Sequence, residues 1–101
     1  MVVPAQVPQV TVWAVGPHMH TAGKTMHIEA DHQGAKTCLL EVRDWNFHWR
    51  AFWQYDNPIK VSGGDTITIT CGYDTTGRVK PTYLGEGTED EMCIGFFYVT
   101  W

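Results

Sequence analysis

The chain has 101 residues, a formal net charge of −4, 44% hydrophobic residues and 18% charged ones. This is the balance of one globular domain, with a core too small for a second. With only 7 Lys and Arg and no basic cluster, the composition argues against nucleic-acid binding and against attachment to an anionic membrane surface. No apolar run approaches the length of a membrane span.

Residues 1–8, with Pro4 and Pro8, read as a linker or frayed lead-in, and residues 9–101 as the folded domain. Met1-Val2-Val3-Pro4-Ala5 lacks the basic start and apolar core of a signal peptide. Short strands then follow one another, with turn signals every eight to twelve residues or so. The expected strands are residues 9–15, 24–30, 37–43, 47–53, 59–61, 65–73 and 92–101. The clearest contains Thr66-Ile67-Thr68-Ile69-Thr70-Cys71, where Ile67, Ile69 and Cys71 share one face and the threonines the other. Turns are expected at Asp31-His32-Gln33-Gly34, Arg43-Asp44-Trp45-Asn46, Tyr55-Asp56-Asn57-Pro58 and Ser62-Gly63-Gly64-Asp65. Residues 74–90 are rich in glycine and acids and have no period, which makes them a long loop of the kind that tends to be functional. No segment carries a sustained helical stripe. The expected fold is therefore all-β: a single antiparallel β-sandwich, jelly-roll-like, of about seven to nine strands with very little helix.

Two distant segments carry the chemistry. His18-Met19-His20 puts two imidazoles at i and i+2, which on an extended strand project from one face. Pro17 limits pairing there and imposes an extended approach. Near the other end, Glu89-Asp90-Glu91-Met92-Cys93 puts a thioether beside a cysteine just before an apolar segment. Two neutral imidazoles and one soft sulfur suit copper, above all Cu(I), and leave room for an exogenous ligand. Spacing alone is equally compatible with a polar strand end bearing two exposed histidines, and with a methionine that fills the core.

The flanking words are more specific. Gly16-Pro17-His18-Met19-His20-Thr21-Ala22-Gly23-Lys24 comes first, then Gly64-Asp65 opening a strand that contains Cys71, then Leu84-Gly85-Glu86-Gly87-Thr88-Glu89-Asp90-Glu91-Met92-Cys93. In this order they resemble the C-terminal domain of the copper type II, ascorbate-dependent monooxygenases, the family of the peptidylglycine and dopamine β-hydroxylating enzymes. The resemblance runs from about Val12 to the end. It implies one copper, cycling between Cu(I) and Cu(II), held by His18, His20 and Met92. It also implies dioxygen as co-substrate, ascorbate or another reductant as electron donor, and hydroxylation of a substrate C–H bond. In the family a preceding copper domain with three histidines supplies the second electron. These residues contain no counterpart, so such a partner domain or an external donor is implied. Peptidylglycine members grip a substrate carboxylate with an arginine two residues before the first histidine, and with an asparagine and a tyrosine two and four residues after the methionine. Here those positions hold Gly16, Ile94 and Phe96. The clamp is gone, and the apolar replacement suits an uncharged or aromatic small molecule.

Of three cysteines, the resemblance implies a Cys71–Cys93 bridge, worth about 3 kcal/mol on the chain-entropy account. It thereby implies an oxidising location, secreted or periplasmic. As bare residues the two are equally well a pair of buried thiols. Cys38 matches no family cysteine and reads as a small buried hydrophobe. Among the other histidines, His27 should face solvent opposite Met26, Ile28 and Ala30. His32 is a turn residue, and His48 is a packed or surface partner; no recognisable zinc-ligand spacing joins them. A copper site built on an N-terminal histidine is not expected, since the first residue is Met1 and exposing His18 by processing would cut away a strand. Trp13, Trp45, Trp49, Trp53 and Trp101 read as core filling, with Trp45, Trp49 and Trp53 as the alternative of an aromatic substrate platform. The acidic run 86–91 fits no calcium loop, and in the family that it resembles it simply precedes the methionine. Carboxylates near the imidazoles are suited to orienting them, with none singled out by the sequence. Two further classes share these features. One is a non-catalytic copper protein for storage, delivery or electron transfer; the other is a copper-free β-sandwich interaction module.

Overall fold

Valine, isoleucine and threonine alternate through the segments that become strands, as suits a pleated and half-buried surface. The computed structural model describes residues 1–49 and 51–101, the side chain of Trp49 excepted. Its strands are β1 (Val10–His18), β2 (Gly23–His32), β3 (Ala35–Val42), β4 (Trp53–Val61), β5 (Thr66–Tyr73) and β6 (Ile94–Thr100). They form two three-stranded antiparallel sheets, ordered β4-β1-β6 and β3-β2-β5. The all-β sandwich expected from the sequence is present, with six strands among the described residues instead of seven to nine.

The core lies between the inner faces. Val12 and Val15 of β1, Met26, Ile28 and Ala30 of β2, Leu39 of β3, Val61 of β4 and Ile67 of β5 are all buried there. Gly95 of β6 faces the opposite sheet, where a Cβ would stand 3.0 Å from the Ile28 side chain and 3.3 Å from that of Ile69. The Tyr55 hydroxyl of β4 donates across the sandwich to the Leu39 carbonyl of β3. Burial, and then the nearby Cys38, push the Tyr55 phenol up to about 12.

Several expectations are corrected. The strand expected over 47–53 does not form: Phe47–Trp49 is a 3-10 turn, begun where the Asn46 side chain accepts the His48 N–H at 2.9 Å. The turn expected at Tyr55-Asp56-Asn57-Pro58 lies within β4, whose pairing with β1 shifts between Val12 and Ala14. Residues 55–58 of β4 therefore oppose Trp13 alone, as a bulge. Because β4 is an edge strand, Pro58 sacrifices no ladder bond. His32 is the last residue of β2, not a turn residue, and Gln33-Gly34 alone turn the hairpin, with φ of 51° and 90°. Cys38 is exposed instead of buried: a register shift between Ile28 and Glu29 leaves Leu39 to point inward and Cys38 outward. Residues 1–3, expected as linker or frayed lead-in, run along β5, with the Val3 N–H on the Asp65 carbonyl and the Ile67 N–H on that of Met1, each at 2.8 Å. Among the described residues, no helix is long and apolar enough to cross a membrane.

Candidate metal centre

Alternation at the end of β1 sends Met19 into the core, fully buried, and turns its neighbours His18 and His20 the other way. The two imidazoles meet edge to face, centroids 5.1 Å apart and planes at 86°. His18 also touches the Phe96 ring at 6.2 Å, and His20 that of Phe47 at 5.8 Å. His20 is buried, and its Nδ1 lies 2.9 Å from the Asp90 carbonyl oxygen. A carbonyl only accepts, so Nδ1 carries the proton, and the lone pair of the neutral ring is on Nε2.

The backbone around these histidines is held from three sides. The buried Glu91 carboxylate accepts the N–H of His20 at 2.9 Å and of Ala22 at 2.7 Å. Trp45, also buried, donates its Nε1–H to the His20 carbonyl at 3.1 Å. Gly23 makes the turn into β2 possible, since a Cβ there would stand 2.8 Å from both Met19 Cβ and Trp45 Cδ1. The expected long loop 74–90 is present and wraps this segment. Arg78 donates to the Thr82 hydroxyl, the Glu89 carbonyl and the Thr21 hydroxyl at 2.9, 2.7 and 3.1 Å. Thr21 in turn donates to the Thr88 carbonyl at 3.2 Å.

Met92 comes from the other end of the chain, two residues before β6. The β1–β6 ladder ends with His18 opposite Ile94, so His20 and Met92 both lie just beyond it, and the depression lined by the Met92 side chain is not lined by either histidine. The Met92 backbone is fixed on both sides, by Glu91 and by Cys93, which is bridged to Cys71 with Cα atoms 6.0 Å apart. The Tyr73 hydroxyl donates to the Met92 carbonyl at 2.8 Å. The Met92 side chain is half-buried, beside that depression, which it shares with Tyr73, Thr82, Tyr83 and Leu84.

Next to His18, Gly16 stands opposite Phe96 on the outer face of the first sheet. The Phe52 ring lies over Gly16, where a Cβ would meet it at 2.9 Å. Gly16, Pro17, His18, Ala51, Phe52 and Phe96 enclose a cleft of about 270 Å³. From Phe52 it continues into a groove of about 620 Å³ lined by Trp13, Gln54, Tyr55 and Tyr98. Two of the three positions that lack carboxylate-gripping residues, Gly16 and Phe96, thus face this cleft. Of the alternative platform of Trp45, Trp49 and Trp53, Trp45 and Trp53 line one depression. The strand expected to carry the platform is absent, and the Trp49 side chain lies outside the described residues. Trp45 is core, while Trp53 stands opposite Val15 at the sheet edge.

Residues 3–101 match the model of the copper type II ascorbate-dependent monooxygenase, C-terminal domain. The chain belongs to this family. Relatives include the tyramine beta-hydroxylase of Caenorhabditis briggsae, 31% identical over 88% of this chain and 15% of the relative. The DBH-like monooxygenase protein 1 of Gallus gallus is 29% identical over 84% of this chain and 14% of its own length. The peptidyl-glycine alpha-amidating monooxygenase B of Xenopus laevis is 39% identical over a shorter stretch, 44% of this chain and 5% of that protein. The chain spans only about one-seventh of the first two relatives. Sequence reasoning proposed His18, His20 and Met92 and read Trp45 as core; it left open which carboxylate supports the histidines, which is Glu91, and did not assign Arg78. The one available signal for Arg78 was an arginine in a loop that carries four acidic residues and one other base, Lys80.

Proposed function

We propose that this domain holds one copper ion through His18, His20 and Met92 and takes part in hydroxylating a C–H bond of an uncharged or aromatic small molecule. The observation that carries the reading is the edge-to-face His18–His20 pair, with His20 Nδ1 anchored on the Asp90 carbonyl so that Nε2 is the donor. The donor set fits copper, since two imidazoles serve both oxidation states and a thioether favours the reduced one. When bound, copper supplies dioxygen activation, one oxygen atom going to the C–H bond and the other leaving as water, with two electrons from ascorbate or another reductant.

The protein's own residues supply position and exclusion. Glu91 and Trp45 hold the His20 backbone from its N–H and carbonyl sides, so the imidazole keeps its direction without a metal. Phe52 and Phe96 wall the cleft beside His18, shed water from it and offer an aromatic face to substrate. One relative is named for tyramine, a molecule with an aromatic ring, and the cleft suits that class. A companion copper domain relays the electrons, and the Cys71–Cys93 bridge suits a secreted or periplasmic setting.

Chelator competition for Cu(I) and Cu(II), with Met92→Ile, His18→Ala and His20→Ala beside the parent, tests the ligand set. Met92→Ile should weaken Cu(I) selectively at an unchanged melting temperature, and each histidine variant should weaken both states. Saturation by zinc without measurable copper affinity would sink the assignment. Copper binding without ascorbate-driven oxygen consumption, even with the companion domain supplied, would reduce the protein to a copper carrier.

A further inference from the structure

The alternation that buries Met26, Ile28 and Ala30 turns His27 and Glu29 to the outer face of the second sheet. Across the ladder, Glu41 stands opposite His27 and Cys38 opposite Glu29. The register shift between Ile28 and Glu29 brings the Cys38 thiol out on this face. Among the described residues, one group of three His, Cys or carboxylate ligand atoms lies mutually within 4.8 Å, and it is His27, Cys38 and Glu41. Glu29 Oε2 is a further oxygen, 3.6 Å from His27 Nε2. Arg43 Nε lies 3.5 Å from Glu41 Oε1 and is the cation this cluster holds from within the chain.

We propose that His27, Cys38 and Glu41 form a second metal site, separate from the copper centre, that takes a zinc-class divalent ion. Bonds of about 2.0–2.3 Å in a tetrahedron set donor atoms roughly 3.3–3.8 Å apart. The cluster reaches this by closing at most about 1.5 Å through side-chain rotation, which the exposed Cys38 and Glu41 allow. Water or the Glu29 carboxylate completes the fourth position. One thiolate, one imidazole and one carboxylate make a borderline donor set. It is harder than Cu(I) prefers and softer than Mg²⁺ or Ca²⁺ prefer, and it matches zinc. The ion displaces Arg43 from Glu41, so binding exchanges an exposed ion pair of little worth for coordination. The site shares no residue with His18, His20 and Met92.

Cobalt(II) is the probe, because a thiolate bound to it absorbs by charge transfer in the near ultraviolet. With Cys71 and Cys93 bridged, Cys38 is the one thiol able to give that signal. Cobalt is titrated into the full chain after a thiol count confirms one free cysteine. The absorption should saturate at one equivalent and be displaced by zinc. It should vanish in Cys38→Ser and need roughly tenfold or more cobalt in His27→Ala and Glu41→Gln. His20→Ala, or Met92→Ile should that variant fail to fold, removes a ligand of the other site and should retain the signal. The proposal is overturned by absence of the absorption at saturating cobalt. It is equally overturned by undiminished affinity in His27→Ala, the mark of a bare thiol, or by saturation at half an equivalent in a cobalt-linked dimer.

Discussion

Glu91→Gln is the most telling single change to this protein. The Glu91 carboxylate is 7% exposed, and each oxygen accepts one backbone N–H, from His20 at 2.9 Å and from Ala22 at 2.7 Å. Glutamine preserves the shape but has one acceptor, so its amide NH₂ must face one of those N–H groups. One charge-assisted bond of about 1.5–3 kcal/mol is lost, its backbone N–H is orphaned, and the surviving bond becomes a weaker neutral one. Relief from burying a charge offsets part of this, leaving a net loss of about 2–3 kcal/mol. At roughly 4–8 °C per kcal/mol for a domain of this size, the metal-free melting temperature should fall by at least about 8 °C. Copper affinity should fall as well, although His18, His20 and Met92 all remain, because the His20 backbone is no longer held. Calorimetric melts without metal and Cu(I) competition by a chelator measure the two effects. The exposed Glu89→Gln, four-square in charge but bonded through its backbone only, is the control and should change stability by about 0.5 kcal/mol or less. A Glu91→Gln melt within about 2 °C of the parent would refute the reasoning.

Two glycines should respond in opposite ways. Gly23→Ala drives a Cβ against Met19 Cβ and Trp45 and should cost about 1–3 kcal/mol in a thermal melt, whereas Gly16→Val meets only the tip of the exposed Phe52 ring, which can swing aside. Gly16→Val should therefore leave the melt nearly unchanged while altering the binding of aromatic probes to the cleft beside His18, as titration would show. Replacing both Cys71 and Cys93 by serine opens a 22-residue loop and should lower unfolding free energy by about 3 kcal/mol in denaturant titrations. At high pH, Tyr55 favours its protonated form in the fold, so its contribution is present below its ordinary 10.0 and is lost as pH rises through about 12; Tyr55→Phe should flatten that alkaline slope. At low pH, the Ser62 N–H and then His32 hold the Asp65 carboxyl below its ordinary range, so its contribution is present above that range and lost as pH falls through the lowered value; Asp65→Asn should flatten the acid limb of the melts.

What could be read from the chain follows a physical division. Period-two alternation is local, and it located β2 and β5 nearly to their ends because Met26, Ile28 and Ala30, and likewise Ile67 and Ile69, repeat on one face. The Asp56-Asn57-Pro58 segment has the composition of a turn, yet it is a bulge in an edge strand, and only the partner strand decides between the two. The same limit hid Cys38, whose outward direction depends on a register shift with β2. At the candidate site, the proposed ligands His18, His20 and Met92 lie in two short segments that can be read from the chain alone. Their supports cannot: Glu91 reaches His20 from 71 positions away and Trp45 from 25. The cluster of His27, Cys38 and Glu41 is a product of cross-strand register and has no signature along the chain.

The placement of His18, His20 and Met92 follows from where this fold can afford irregular backbone. A strand interior would commit the amides of residues 19–22 to a ladder and leave both imidazoles standing from a regular sheet. Just beyond the end of β1, those amides are released, and an acidic segment from the far end of the chain takes them up. Glu91 accepts two of them, and the Asp90 backbone carbonyl accepts a hydrogen bond from the His20 Nδ1–H. The same two residues immediately precede Met92, and the bridge at Cys93 ties that segment to β5. The bonds that satisfy the backbone around the histidines therefore also hold the segment that leads into Met92. A change at Glu91 should then loosen both halves of the proposed ligand set together, whereas a change at Met92 should remove one proposed donor and leave the imidazoles where they are.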